Sequence, residues 1–446
     1  MFTIINIILF ILAIKSFLQK KYIATIVVYT FFVSNGFIIN FGNSIIKSQD
    51  FGLLLLLICC IIGRSRDNHF FSVKTTQFAP IVILFLSFFS ISFIYSLILE
   101  VDTLKNILAV LRVYFSFAIY FVIRQVPYDN FIKSLYIIGI FVIISSLLFC
   151  LQYITHIPLL NTYVPDTTEY YRMQVTPPFL QILITFLLFY GQKIKKRYLI
   201  IALLFCVMII SKNRTPMYAL CLQTVLFIIY SKNTKHKIPI ILISIFSLPM
   251  ISSMMESRDE GKGDNFLSFK ETWNYIRNGN YDTLSHASTF MFRIALCAER
   301  VDYILKHPDN LIMGVGAMHE ESKNNKFTFM VGTNYKASDG SNYKGQLQTG
   351  DTSWGPIIIR YGLCGVIITL GTLIYSICVF FKNKKNKVAM FGCIYMIGVL
   401  VVSVSEASAF TYVSLFTYSM LFYLFEKEST GKSHLLINSK NYSYDT

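Results

Sequence analysis

Apolar runs of bilayer-spanning length recur along almost the whole chain, separated by short polar linkers. A helix needs about 20 apolar residues to cross the hydrocarbon core. Helix is also the form that satisfies every backbone group of a segment where no water is present. Spans are expected at 2–18, 22–41, 46–63, 79–99, 105–123, 134–154, 178–192, 198–211, 216–231, 238–253, 354–381, 388–405 and 408–425. Of the 446 residues 54% are hydrophobic and 14% charged, whereas soluble domains carry about 25% charged residues. Soluble cores could not bury that much apolar surface. The expected class is an all-α polytopic membrane bundle of about 12–14 transmembrane helices. The first segment, Phe2 to Phe17, follows no basic stretch and precedes no small-residue cleavage site, so it is expected to remain as a helix.

The net charge of +16 would suggest a nucleic-acid partner in a soluble protein. Here its location excludes one. Lysine and arginine gather in the short linkers, as in Lys193, Lys195, Lys196 and Arg197, or Lys382, Lys384, Lys385 and Lys387. Threading the spans puts every lysine-rich linker on one side, the cytoplasmic one by the positive-inside rule. The long hydrophilic stretch Ser253–Asp351 has 11 basic and 13 acidic residues and falls on the opposite side. So do His156–Pro177 and the turn around Arg214. The chain therefore divides into helices over 1–252, an outer loop at 253–353, further helices over 354–425 and a cytoplasmic tail at 426–446. Cysteines lie in apolar runs apart from Cys297, and no Cys/His spacing suggests a metal or a disulfide.

Within the loop, Phe266–Arg277 and His286–His307 have helical apolar spacing. Pro308 and Gly314–Gly316 end the second helix. Lys323–Gly350 is polar and is expected to be a flexible flap. Arg293 and Arg300 stand seven residues apart on one helix face, with no acidic residue at i±3 or i±4. Such arginines are either solvated or paired with the flap, or else kept for an anion, which a guanidinium grips bidentately. Arg214, in a short outer turn, runs against the inside bias, and Arg172 is a further outer arginine. Arg112 and Arg360 lie inside spans and are expected to pair with a carboxylate, Glu100, Asp102 or Glu406 being nearest in depth. Asp351, at the junction of loop and span, either caps the next helix or acts as a general base. His319-Glu320-Glu321 reads as loop.

These residues together resemble the O-antigen polymerase and O-antigen ligase family, over roughly Leu199 to Gly365. Ser211-Lys212-Asn213-Arg214 is similar to its Ser-Arg element. Arg293, then Pro308 and Gly314-Val315-Gly316, is similar to its loop pattern. Asp351-Thr352-Ser353-Trp354 leading to Tyr361-Gly362-Leu363-Cys364-Gly365 resembles its His-Asn-Ser-Tyr and Tyr-Gly-Leu-x-Gly elements. The chain departs in having Asp351 for the ligase histidine, Cys297 for the usual loop tryptophan and Arg300 for a small residue. The missing histidine points toward polymerase.

The resemblance implies a bacterial inner-membrane, multi-pass glycosyltransferase. It would polymerise polyprenyl-diphosphate-linked oligosaccharide repeat units, donor and acceptor alike, into O-antigen or capsule polysaccharide at the periplasmic face. Asp351, Arg214 and Arg293 are the expected catalytic residues and Arg172 an expected substrate-binding one; Arg300 is expected to bind substrate from its place on the helix face alone, since the resemblance carries no role to it. No metal or cofactor is expected, and a chain-length regulator is a candidate partner. The alternatives are an O-antigen ligase, or a flippase for the same lipid-linked unit. A flippase favours inverted repeats, which this chain does not display.

Overall fold

The computed structural model describes residues 2–41, 46–73, 76–161, 175–189, 191, 194–211, 214–230, 269–281, 289–332, 334–336, 342–347 and 351–429. Its helices are α1 (Phe2–Leu18), α2 (Tyr22–Val33), α3 (Ser48–Arg66), α4 (Ala79–Ile98), α5 (Leu104–Arg124), α6 (Tyr128–Thr155), α7 (Leu180–Phe189), α8 (Arg197–Ile210) and α9 (Arg214–Tyr230). In the loop stand α10 (Phe269–Arg277) and α11 (Thr289–Lys306), and beyond it α12 (Trp354–Lys382), α13 (Lys387–Val402) and α14 (Tyr412–Ser429). A helix therefore occupies each expected span except 238–253, which lies outside the described residues. Among the described residues, α3, α4, α5, α6 and α12 are long and apolar enough to cross a membrane. The fold is that of a helical membrane protein.

Interhelix connections sort into two ends. At one, Arg66 donates to the carbonyls of Phe17 and Leu18, Gln125 to Asp67, and Tyr120 to Glu426. At the other, Asn40 meets Pro158 and Leu159, Arg112 meets Asp50, and Ser353 meets Ser403 and Glu406. Two boundaries shift. The second span stops being helical at Val33, where Asn35 and Phe37 take left-handed backbone, and the sixth begins six residues early, at Tyr128.

The feature that organises the second half is a break inside α12. Gly362 has φ 59° and ψ −157°, a combination reserved for glycine. An interrupted helix at membrane depth strands backbone donors and acceptors, which must find partners in protein. Here the loop supplies them. The amides of Leu363 and Cys364 donate to the carbonyls of Leu311 and Ile312, at 2.9 and 3.1 Å. In return the amides of Val315 and Gly316 donate to Ile359 and Arg360, each at 3.0 Å. The loop segment 311–316 thus replaces the missing turn. Gly314, itself at φ +68°, lies against the backbone of Arg360 and Tyr361 so closely that a Cβ would overlap it. The same segment seats on α4, where Ser96 Oγ accepts from the Ala317 amide at 2.8 Å.

The expected flap is more structured than its composition suggests. Strands β1 (Asn334–Lys336) and β2 (Asn342–Lys344) pair antiparallel, a small β element that the all-α expectation lacks. Two carboxylates hold its legs. Glu299 accepts from the Met330 and Val331 amides, and Glu320 from those of Gln346 and Leu347.

Gly362→Ala should remove about 1–3 kcal/mol of stability, because its Cβ would stand 2.6 Å from the Ile312 carbonyl oxygen. Gly371→Ala, with open space around it, should not lower stability. Thermal unfolding of the purified protein in detergent compares the two, and equal midpoints would show that the break is unimportant.

Candidate functional site

The N-terminal end of α12 is tied down before the helix begins. The Ser353 amide donates to the Ser403 carbonyl at 3.0 Å, and Ser353 Oγ donates to Glu406 O at 2.8 Å. Trp354 Nε1 donates to Ser403 Oγ at 2.9 Å. The segment that carries Asp351 is thereby pinned to the turn between α13 and α14. The loop helix α11 packs against α12 and brings one face to this place. Residues four apart share a helix face. Cys297 Sγ lies 3.6 Å from Thr352 Oγ1, and Arg293, four residues earlier, puts Nη2 3.7 Å from Asp351 Oδ1.

Two of the expected catalytic residues, from segments 58 positions apart in the chain, therefore meet at one end of the bundle. Both are part-exposed, with side-chain exposures of 19% and 27%. Their contact is longer than a hydrogen bond. Arg293 Nε is buried with no hydrogen-bond partner among the described residues. Arg293 thus has a carboxylate partner, where the sequence leads one to expect none. The helix-capping alternative for Asp351 is not what this end displays: the N-cap position is Ser353, and the Trp354 amide donates to Thr352 Oγ1. A guanidinium beside a carboxylate can hold an anion while the carboxylate accepts a proton.

Arg300 is different. It is fully buried, with Nη1 donating to Glu299 at 3.1 Å and to Leu296 O at 3.2 Å, and Nη2 to Gln346 O at 3.2 Å. Its guanidinium also lies 4.4 Å over the Phe329 ring. Of the readings open from the sequence, pairing with the flap is the one seen and substrate binding is not: Arg300 holds the hairpin legs to α11. Burial lowers its pKa to about 10, with Glu299 opposing, so it stays cationic at neutral pH. Burial likewise pushes Glu299 up, against the Val331 and Met330 amides. The partner was missed because adjacent helix residues ordinarily diverge, and the hairpin folds both side chains inward.

Arg172 lies outside the described residues, as does the side chain of Arg214, whose backbone opens α9. Arg112 pairs with Asp50 rather than with Glu100, Asp102 or Glu406. Asp102 instead accepts from Asn106 Nδ2 at 2.9 Å and from the His319 amide at 3.1 Å. Burial alone would raise its pKa, but these bonds with those of Thr103 and Ser322 outweigh it and leave Asp102 below its ordinary value. His319-Glu320-Glu321, expected as plain loop, is an anchor of the loop to α4, α5 and the hairpin. Arg360, expected to meet a carboxylate, donates from Nε to the Met318 carbonyl at 3.0 Å.

No protein-family model and no curated protein matches this chain.

The anchor predicts a pH effect. Burial depresses the pKa of His319 below its ordinary 6.5, so the folded loop favours the neutral ring. That contribution is complete above pH 6.5 and fades as pH falls through the lower folded value. Proteolysis of the loop should accelerate between pH 7 and pH 5, and His319→Gln should flatten the profile. A second outcome concerns the buried pair. Arg300→Met leaves Glu299 unpaired and should cost about 3–5 kcal/mol, seen as faster cleavage of the hairpin legs at neutral pH.

Proposed function

We propose that this protein is a membrane glycosyltransferase that polymerises polyprenyl-diphosphate-linked oligosaccharide units on the outer face of the bacterial inner membrane. The single observation that carries the reading is the meeting of Arg293 with Asp351, where a large loop closes over one end of an apolar bundle. A hydroxyl of the acceptor saccharide attacks the anomeric carbon of the donor. The C–O bond to the lipid diphosphate breaks, and the electron pair leaves on that diphosphate. Negative charge grows on the departing oxygen, and a fixed guanidinium stabilises it more in the transition state than before. Arg293 fills this role, with Arg214 and Arg172 assisting on the strength of sequence position alone. Asp351 takes the acceptor proton. A single displacement inverts the anomeric configuration.

The part-exposed, loose geometry of the pair favours this role over a purely structural bridge, because neither group is sealed. The buried Arg300, with both terminal nitrogens bonded, is assigned to positioning the hairpin, away from substrate. Asp50, spent on Arg112, counts against an enzyme that would use a carboxylate in the first outer loop.

Reconstituted protein supplied with lipid-linked repeat units should lengthen the glycan. Arg293→Ala and Asp351→Asn should each slow extension by about 10²-fold or more while remaining folded in the membrane. Full-length product from both variants would refute the assignment. Transport without lengthening would identify a flippase, and transfer only to an added lipid or protein acceptor would identify a ligase.

A further inference from the structure

Of the arginines inside spanning helices, Arg112 has its carboxylate and Arg360 does not. Arg360 is 7% exposed, and only its Nε is engaged, by the Met318 carbonyl. Its terminal nitrogens have no hydrogen bond or ion pair among the described residues, yet they are not among the polar atoms sealed from solvent. A cation held at membrane depth is costly unless it is paired or opens on an accessible space. The backbone around it is committed: its carbonyl accepts from Gly316, in the segment that mends the break of α12. The guanidinium is therefore held in place with its two strongest donors unused.

What surrounds those donors is also suited to an anion. His319 Nδ1 accepts from the Glu321 amide at 3.2 Å, so the neutral ring carries its proton on Nε2. The charges of Glu321, Arg360, Asp102 and Lys47 all act on that ring. The Tyr114 phenol is within electrostatic reach of Arg360, and Lys47 is exposed beside α3. Asp102, the carboxylate that acts on the His319 ring together with Arg360, is turned to Asn106 and the His319 amide.

We infer that Arg360, with His319 and Tyr114, forms a second anion site at the break of α12 that takes a phosphate-bearing headgroup. It is distinct from the Arg293–Asp351 pair, six residues or ~9 Å further along α12 from Trp354. A polymerase that joins two lipid-linked saccharides must seat two diphosphates, the one that leaves and the one that stays. The second site holds the one that stays. That last assignment rests on the polymerase reading; the anion site does not.

The test is binding of farnesyl diphosphate to the purified full chain in detergent, with farnesol and inorganic pyrophosphate as the other probes. Arg360→Met should weaken farnesyl diphosphate binding about tenfold or more in an Arg293→Ala background, where the first site is already disabled. Farnesol should not bind. Pyrophosphate binding as tightly as the farnesyl compound would identify a free phosphate as the source, and weaker binding a lipid. Should Arg360→Met fail to unfold cooperatively, His319→Ala carries the same test. Unchanged affinity in a folded variant overturns the site. Binding that depends on Arg360 in a protein that lengthens no glycan supports the site and sinks the polymerase reading alone.

Discussion

The second half of this molecule depends on a backbone debt at Gly362. An interrupted helix in an apolar bundle leaves amides and carbonyls that water cannot reach. The segment Leu311–Gly316 answers with four reciprocal hydrogen bonds to Ile359, Arg360, Leu363 and Cys364. The described part of the loop is thus joined to the bundle through its backbone. Because 311–316 is fixed on α12, the helix α11 just before it is fixed as well, and so is the approach of Arg293 to Asp351. Glycine at 314 and 362 is what lets two backbones lie this close.

The arginines fall into classes by what surrounds them, not by where they lie in the sequence. Arg112 and Arg300 each have a carboxylate, and Arg300 adds carbonyls and a ring face, so both are spent on architecture. Arg293 meets a carboxylate at 3.7 Å, beyond hydrogen-bond length, with both side chains part-exposed. Arg360 has a carbonyl on one nitrogen and, among the described residues, no hydrogen bond on the others. Buried ion pairs gain little net stability over apolar packing, so the open cations are the ones whose retention calls for a ligand.

Much of the fold was legible because hydropathy is a strong signal: helix positions follow directly from runs that must hide their backbone. The Arg293–Asp351 meeting was foreseeable only in outline, as a base poised over outer arginines, since nothing local to either residue says that these two touch. Glu299 escaped notice because helix periodicity looks three and four residues away, and the contact is made by a hairpin 31 positions downstream. Asp50 was not among the carboxylates expected for Arg112, because their pairing spans 62 positions. The glycines of the Gly-Val-Gly and Tyr-Gly-Leu segments were visible as motifs. That each exists to fit the other was not, because close backbone approach leaves no trace in composition.

The seam also has a consequence for biogenesis. Leu311–Gly316 leaves the ribosome before Gly362 does, so the partner that completes α12 is made first and must be in place when the helix folds. Completion of α12 is then a templated event, in which an earlier strand of chain waits to be clasped. Mistiming that encounter would leave the interrupted helix with its amides bare, a state suited to capture by quality-control proteases.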